Sequence, residues 1–210
     1  DLHRRRHSFP TRRSSDLYKK ITEGGDIALA QVVLDQTKST QETIVKNAYS
    51  KLLNSTPQAL PLKGTNDYAA PVITGTYNLN KEGTINIKTY LSTNGGSGFN
   101  LSGLTAGSGT VATTTPQPLG NSGLYITFPT TVDANVSEWV ITIPNTKAPD
   151  YLTNYSAYKA ALAESESQIT QRTAELTVKK AQAGGSDIDL ANAEIVSAQG
   201  QVEAAVSKFE

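Results

Sequence analysis

The chain comprises 210 residues with 19 basic and 19 acidic side chains, no Cys, no Met and one Trp. The missing Cys removes disulfides, thiol nucleophiles and thiolate metal sites, and no apolar run reaches the roughly 18 residues that a bilayer span requires. A formal net charge of zero argues against the concentrated basic face of a nucleic-acid binder, while 37% hydrophobic residues can build a modest core in one or two domains.

The first seventeen residues, DLHRRRHSFPTRRSSDL, differ from everything after them and hold five of the six Arg and both His. A basic tail for RNA or lipid is one reading. The other is simpler: the common short-read sequencing adapter, translated in one frame, yields His7 through Leu17 without a mismatch, and its upstream codons yield Asp1-Leu2-His3. Residues 1–17 are therefore read as a translated library artefact, expected to be disordered and set aside before fold reasoning. Residues 18–210 keep 14 basic and 17 acidic groups, a net charge near −3, with no His and a single Arg, Arg172. No Met opens the chain, and a helical pattern runs up to Glu210, so the sequence reads as an internal fragment.

The first helical arm is assigned to residues 18–56, with a regular helix over 26–55. Asp26 follows Gly24-Gly25 and is placed to cap it, since a carboxylate accepts from free first-turn amides. Ile27, Ala30, Leu34, Ile44, Ala48 and Leu52 fall near one stripe, interrupted by Thr37 and Gln41.

Residues 57–148 turn to Thr, Gly, Asn and Pro. GTINIKTYL alternates Ile85, Ile87, Thr89 and Leu91 with polar residues, the period-two pattern of a half-buried strand. GLYITF and EWVITI repeat it, and VITGTYN, GFNLSG and TVATTT are further candidates. Six or seven short strands predict a small all-β sandwich.

The second arm covers residues 149–210. Tyr151, Tyr155, Tyr158, Leu162, Ile169 and Leu176 recur at helical spacing until Gly184-Gly185, a predicted break. Beyond it Ile188, Ala191, Ile195, Ala198, Val202, Ala205 and Phe209 alternate steps of three and four, a heptad seam. Each arm runs thirty residues from the β insert to its Gly-Gly pair, roughly 45 Å of helix. The expected fold is α+β: a long antiparallel coiled-coil hairpin, interrupted at one level by Gly24-Gly25 and Gly184-Gly185, with the sandwich inserted at its far end.

Catalytic signals are nearly absent. Without Cys, and with no His after residue 17, the usual general bases, nucleophilic dyads and soft-metal sites cannot be assembled, so no enzyme activity, metal or cofactor is expected. Glu164 with Glu166 and Asp187 with Asp189 read as solvated or capping carboxylates. The glycines of Gly95–Gly98 and Gly107–Gly109 lie between strands and read as turns, because a phosphate cradle needs a helix N-terminus behind it. Trp139 could stack on a sugar, but its alternation with Ile141 and Ile143 assigns it to the core. Tyr151, Tyr155 and Tyr158 form either a partner-binding stripe or the packing of the helix foot against the sandwich.

The stretch ELTVKKAQAGGSDIDLANAEIVSAQGQVEAAVSKFE resembles the descending helix of HlyD-type membrane fusion proteins, the periplasmic adaptors of efflux and type I secretion systems. Ala183-Gly184, Leu190, Ala191, Ala193 and Glu194 match that pattern in register, while Ser186 and Asp187 stand where many relatives carry Arg and Pro. SGLTAGSGTVATTTPQPLGNSGLYITFP and VITIPNT look like an insert of some such adaptors. The resemblance implies a non-catalytic, extracytoplasmic scaffold of the cell envelope that forms homo-oligomers. It would join an inner-membrane transporter, of the ABC type, to outer envelope components, and its membrane anchor would lie outside this segment. The rival from another class is a surface adhesin or glycan-binding β module carried on a coiled-coil stalk.

Overall fold

The computed structural model describes residues 11–63, 69–92, 95–132, 137–183, 196–202 and 207, the side chains of 11–23 and 63 excepted. Helix α1 (Thr11–Leu53) leads into strands β1 (Ala59–Lys63), β2 (Val72–Gly75), β3 (Gly83–Leu91) and β4 (Ser97–Gly103). Strands β5 (Gly107–Thr110), β6 (Gln117–Pro118), β7 (Leu124–Thr127) and β8 (Glu138–Ile143) follow, then helix α2 (Tyr151–Ala183). Residues 196–202 add a helical segment, α3. The chain divides into a β-rich unit, Val45–Ala160, and a helical unit of Asp1–Ile44 with Ala161–Glu210. The ends of both long helices thus belong with the strands, ten or so residues beyond the boundaries expected from composition.

The fold is α+β, but the expected long coiled-coil hairpin is not formed. Coiled-coil packing brings facing backbones close at every turn, whereas the Cα atoms of α1 and α2 approach within 8 Å at no more than isolated points. In the helical unit Val202 of α3 joins Leu34, Ile169 and Leu176 in a core shared by three segments instead of a two-helix seam. The symmetric break also fails on its first side, because α1 runs uninterrupted through Gly24 and Gly25. Each glycine costs about 1 kcal/mol against Ala, but extending an existing helix gains a backbone hydrogen bond per residue and need not nucleate again. Asp26 is therefore an interior helical residue, and its carboxylate accepts from Lys179 Nζ at 3.4 Å instead of capping. By the same propagation α1 begins at Thr11, so the disorder expected over 1–17 does not extend to residues 11–17. Gly184 and Gly185 lie outside the described residues.

In the β-rich unit a five-stranded antiparallel sheet, ordered β1-β8-β3-β4-β5, faces a three-stranded one, β2-β7-β6. Register follows the period-two pattern. Ile87 pairs with Trp139 on one side and Leu101 on the other, and Ile85 pairs with Ile141, so one face of the large sheet is a continuous apolar surface. Leu124 and Ile126 of β7, both buried, supply the opposing face. Phe128 closes the core, its ring 5.4 Å from that of Phe99 and 5.8 Å, edge-on, from that of Trp139. Buried aromatic pairs of this geometry add roughly 0.5–1.5 kcal/mol beyond their area.

Two glycines make room for aromatic rings across strands. Gly109 faces Phe99 in the β4–β5 pair, and a Cβ there would lie 2.4 Å from the Phe99 ring. Gly98 faces Tyr90 in the β3–β4 pair, where a Cβ would lie 2.5 Å from the Tyr90 ring. Phe99 is fully buried and cannot yield, whereas Tyr90 is 38% exposed and can swing outward. Gly109→Ala is therefore expected to cost about 1–3 kcal/mol by overpacking, and Gly98→Ala less than about 1 kcal/mol. Paired urea titrations of the two variants check that order.

The chain enters and leaves the sheets through one polar knot. Thr56 donates to Asp150 from its amide at 3.3 Å and from its hydroxyl at 3.0 Å. Asn154 Nδ2 donates both to Asp150 at 3.2 Å and to buried Ser55 Oγ at 3.1 Å. Asn145 Nδ2 donates to the Thr56 carbonyl at 2.9 Å, and Asn54 bonds both ways with the Tyr77 backbone. The Asp150 carbonyl also accepts the first bond of α2, from the Asn154 amide. Partial desolvation raises the Asp150 pKa, but the Thr56 and Asn154 donors outweigh it and hold the carboxyl below its usual 3.8. A depressed folded pKa contributes stability that is present above the unfolded value and lost as pH falls through the folded one. Thermal melts across acid pH should thus show a loss of stability below about pH 4 that Asp150→Asn flattens.

Candidate functional site

The exposed apolar residues of the helical unit are its most conspicuous surface feature. Leu29 and Val32 of α1 are 62% and 60% exposed, one helical step apart, and Val178 of α2 and Val196 of α3 are 55% and 68% exposed. Single exposed apolar residues are ordinary on soluble proteins, so their meaning depends on what lies beside them. Val178 borders a groove of about 680 Å³ between α2 and α3, lined also by Ile169, Ala174, Ala198 and Val202.

A second cavity, of about 290 Å³, opens among all three helical segments. From α1 come Gln31, Leu34, Asp35 and Lys38, from α2 Thr173, Leu176, Thr177 and Lys180, and from α3 Ser197 and Gln201. Its polarity arises locally. Gln31 Nε2 donates to both Asp35 oxygens at 3.2 Å, one turn along the helix. The Thr173 and Thr177 hydroxyls donate to the carbonyls of Ile169 and Thr173, a bond that in-helix Thr commonly makes. Lys180 is 6% exposed, an unusual burial for an ammonium-bearing side chain.

Of the predicted seam, Ala198 is buried and Val202 packs on the three-segment core. Ile188, Ala191, Ile195, Ala205 and Phe209 lie outside the described residues, as do Asp187 and Asp189. Glu164 accepts from Gln168 Nε2 at 2.7 Å on exposed helix surface. Neither glycine run is simply a turn: Gly107–Gly109 belong to β5, and Gly98 is the second residue of β4. The three tyrosines divide. Tyr158 is buried, its ring 5.2 Å from that of Tyr49. Tyr151 and Tyr155 stack at 5.9 Å with Tyr155 39% exposed, and Lys159 Nζ stands 5.8 Å over its ring. Tyr49 donates to Glu82 Oε1 at 3.3 Å, and burial, reinforced by the Glu82 charge, pushes its hydroxyl pKa upward. Among the described residues no group of three or more His, Cys, Asp or Glu is arranged to hold a metal ion, and no helix is long and apolar enough to cross a membrane.

Trp139 is 1% exposed, so it presents no ring face on which a sugar could stack. Comparisons with family models, curated proteins and solved structures find no match. Because Trp139 is the only Trp, its fluorescence reports on this core alone. Its emission should be blue-shifted, shielded from acrylamide and unmoved by added mono- or oligosaccharides. A red emission maximum quenched by acrylamide would contradict the packing described.

Proposed function

We propose that this chain is part of a non-catalytic envelope adaptor of the membrane-fusion type, which binds itself and an inner-membrane transporter of the ABC class. In the uncut protein it would be held in the extracytoplasmic space by an anchor outside this segment. The observation that carries the reading is the set of exposed apolar side chains of the helical unit, Leu29 and Val32 on α1 and Val178 on α2 at the edge of the Ile169–Val202 groove. An adaptor works by burying such surfaces against partner helices, and each fully buried Leu or Val contributes about 1.5–3 kcal/mol. The resemblance of residues 175–210 to the descending helix of the family supports the same reading. The adhesin alternative draws no support from Trp139, whose ring is enclosed.

Site-specific photocrosslinkers at Leu29 and Val178, placed in the uncut gene in its own host, test this. The expected adducts are a second copy of the protein and a polytopic inner-membrane transporter whose export activity disappears when this gene is deleted. Normal export in the deletion strain, with adducts to neither partner, would overturn the reading.

A further inference from the structure

We propose that strand β2 pairs antiparallel with the β2 of a second copy of this chain, joining two three-stranded sheets into one of six strands. The inference concerns a sheet edge, not the helical surface behind the adaptor reading, and does not depend on that reading. The strands that end the two sheets are β1, β5, β2 and β6. An open edge is a template for another strand, and folded chains blunt it with proline, bulges or short length. β1 carries Pro61 with a shift of register beside it, β6 is two residues long and includes Pro118, and two of the four residues of β5 are glycine. β2 instead presents Val72, Ile73 and Thr74, three β-branched residues of high strand preference.

The pairing of β2 fixes which of its groups face outward. Leu124 presents its carbonyl to Leu119, on the β6 side of β7. Successive residues of a strand bond to alternate sides, so Tyr125 and Thr127 bond toward β2, where their register partners are Thr74 and Val72. The N–H and C=O of Ile73 therefore point away from β7, and among the described residues no strand lies beyond them. The side chains agree. Ile73 shares the inner face with its partner Ile126, which is fully buried, yet Ile73 itself is only half-buried. The apolar layer stops one strand short.

Whatever completes this edge must set an apolar residue opposite Ile73 and bring no unpaired charge. A second β2 does both. A two-fold axis at Ile73 sets that residue against its own copy with both backbone bonds exchanged, a self-complementary contact. In the same register Val72 of each copy faces Thr74 of the other on the outer surface, where both are exposed. Residues 69–78, AAPVITGTYN, carry no charge, so no like charges oppose the pairing. Four residues a side fall short of the roughly 1,200 Å² of lasting complexes, which sets a weak dimer with a Kd of about 0.1–1 mM.

Sedimentation equilibrium of the 210-residue chain up to about 1 mM should show that dimer. Val72→Lys/Thr74→Lys sets two like-charged pairs across the axis and should weaken association by about tenfold. Val72→Lys/Thr74→Glu sets opposite charges there and should preserve or tighten it. Both side chains are exposed, so each variant should keep the parent circular dichroism spectrum. Because the chain has no Cys, register can be read from disulfides: Val72→Cys mixed with Thr74→Cys should oxidise to the mixed dimer faster than either variant to its own. The Ile73 amide should gain protection from hydrogen exchange with the peptide AAPVITGTYN and not with the same residues in reverse order. A chain that stays monomeric, equal association of the two charged variants, or no preference for the mixed disulfide would each overturn the proposal. Protection by both peptides, the mark of a general strand acceptor, or by neither, would overturn it as well.

Discussion

The β-rich unit depends on the closure of its own ends. Ser55 and Thr56, at the exit from α1, are bound to Asp150 and Asn154, at the entry to α2, although more than ninety residues separate them along the chain. Closing a loop of that length costs entropy that grows only with the logarithm of its size. A small set of directional bonds, backed by the two sheets, can therefore hold it shut. Part of this set is shielded: Ser55 and Asn154 are buried and bonded to each other, whereas the Thr56–Asp150 bonds lie at the exposed edge. Buried polar groups that are fully satisfied specify one arrangement, because any other leaves them unpaired at a cost of about 1–3 kcal/mol each.

The helical unit is held differently. Its described core is small, with Leu34, Ile169 and Leu176 at the centre and Ile27, Ala30 and Val202 at the margin. The remaining inward positions are filled by Thr, Gln and Lys, and these line the cavity. A helix pair that buries so little apolar area gains little by closing further. The same economy of burial leaves Leu29, Val32 and Val178 on the surface, which connects the weak internal packing to the adaptor function proposed.

Strands β3 and β8 were legible in the sequence to the residue, because Ile85-Ile87-Thr89 and Trp139-Ile141-Ile143 state their period directly. β1 was not, since ALPLK contains a proline and no alternation, and β6 spans only two residues. β5 was displaced from GSGT to the following TVATTT. Glycine and serine carry no pattern, and the pairing with β4 that fixes the strand is a long-range fact. Gly24-Gly25 misled in the opposite direction: a local propensity of about 1 kcal/mol per residue is overridden by helix on both sides. Of the candidate surface, the helical periodicity around Ala198 and Val202 followed from the spacing of apolar residues. The cavity did not, because its wall draws single residues from three segments whose proximity no local pattern encodes.

The ring of Phe99 filling the space above Gly109 ties two positions in adjacent strands into one unit of volume. Neither can drift alone during divergence: a larger residue at 109 demands a smaller one at 99, and a smaller one at 99 leaves a void that only a methyl group at 109 would occupy. Families descended from this sequence should carry the pair as a covarying couple, aromatic with glycine or aliphatic with alanine. Such a correlation would mark the β4–β5 register even where the rest of the sequence has become unrecognisable.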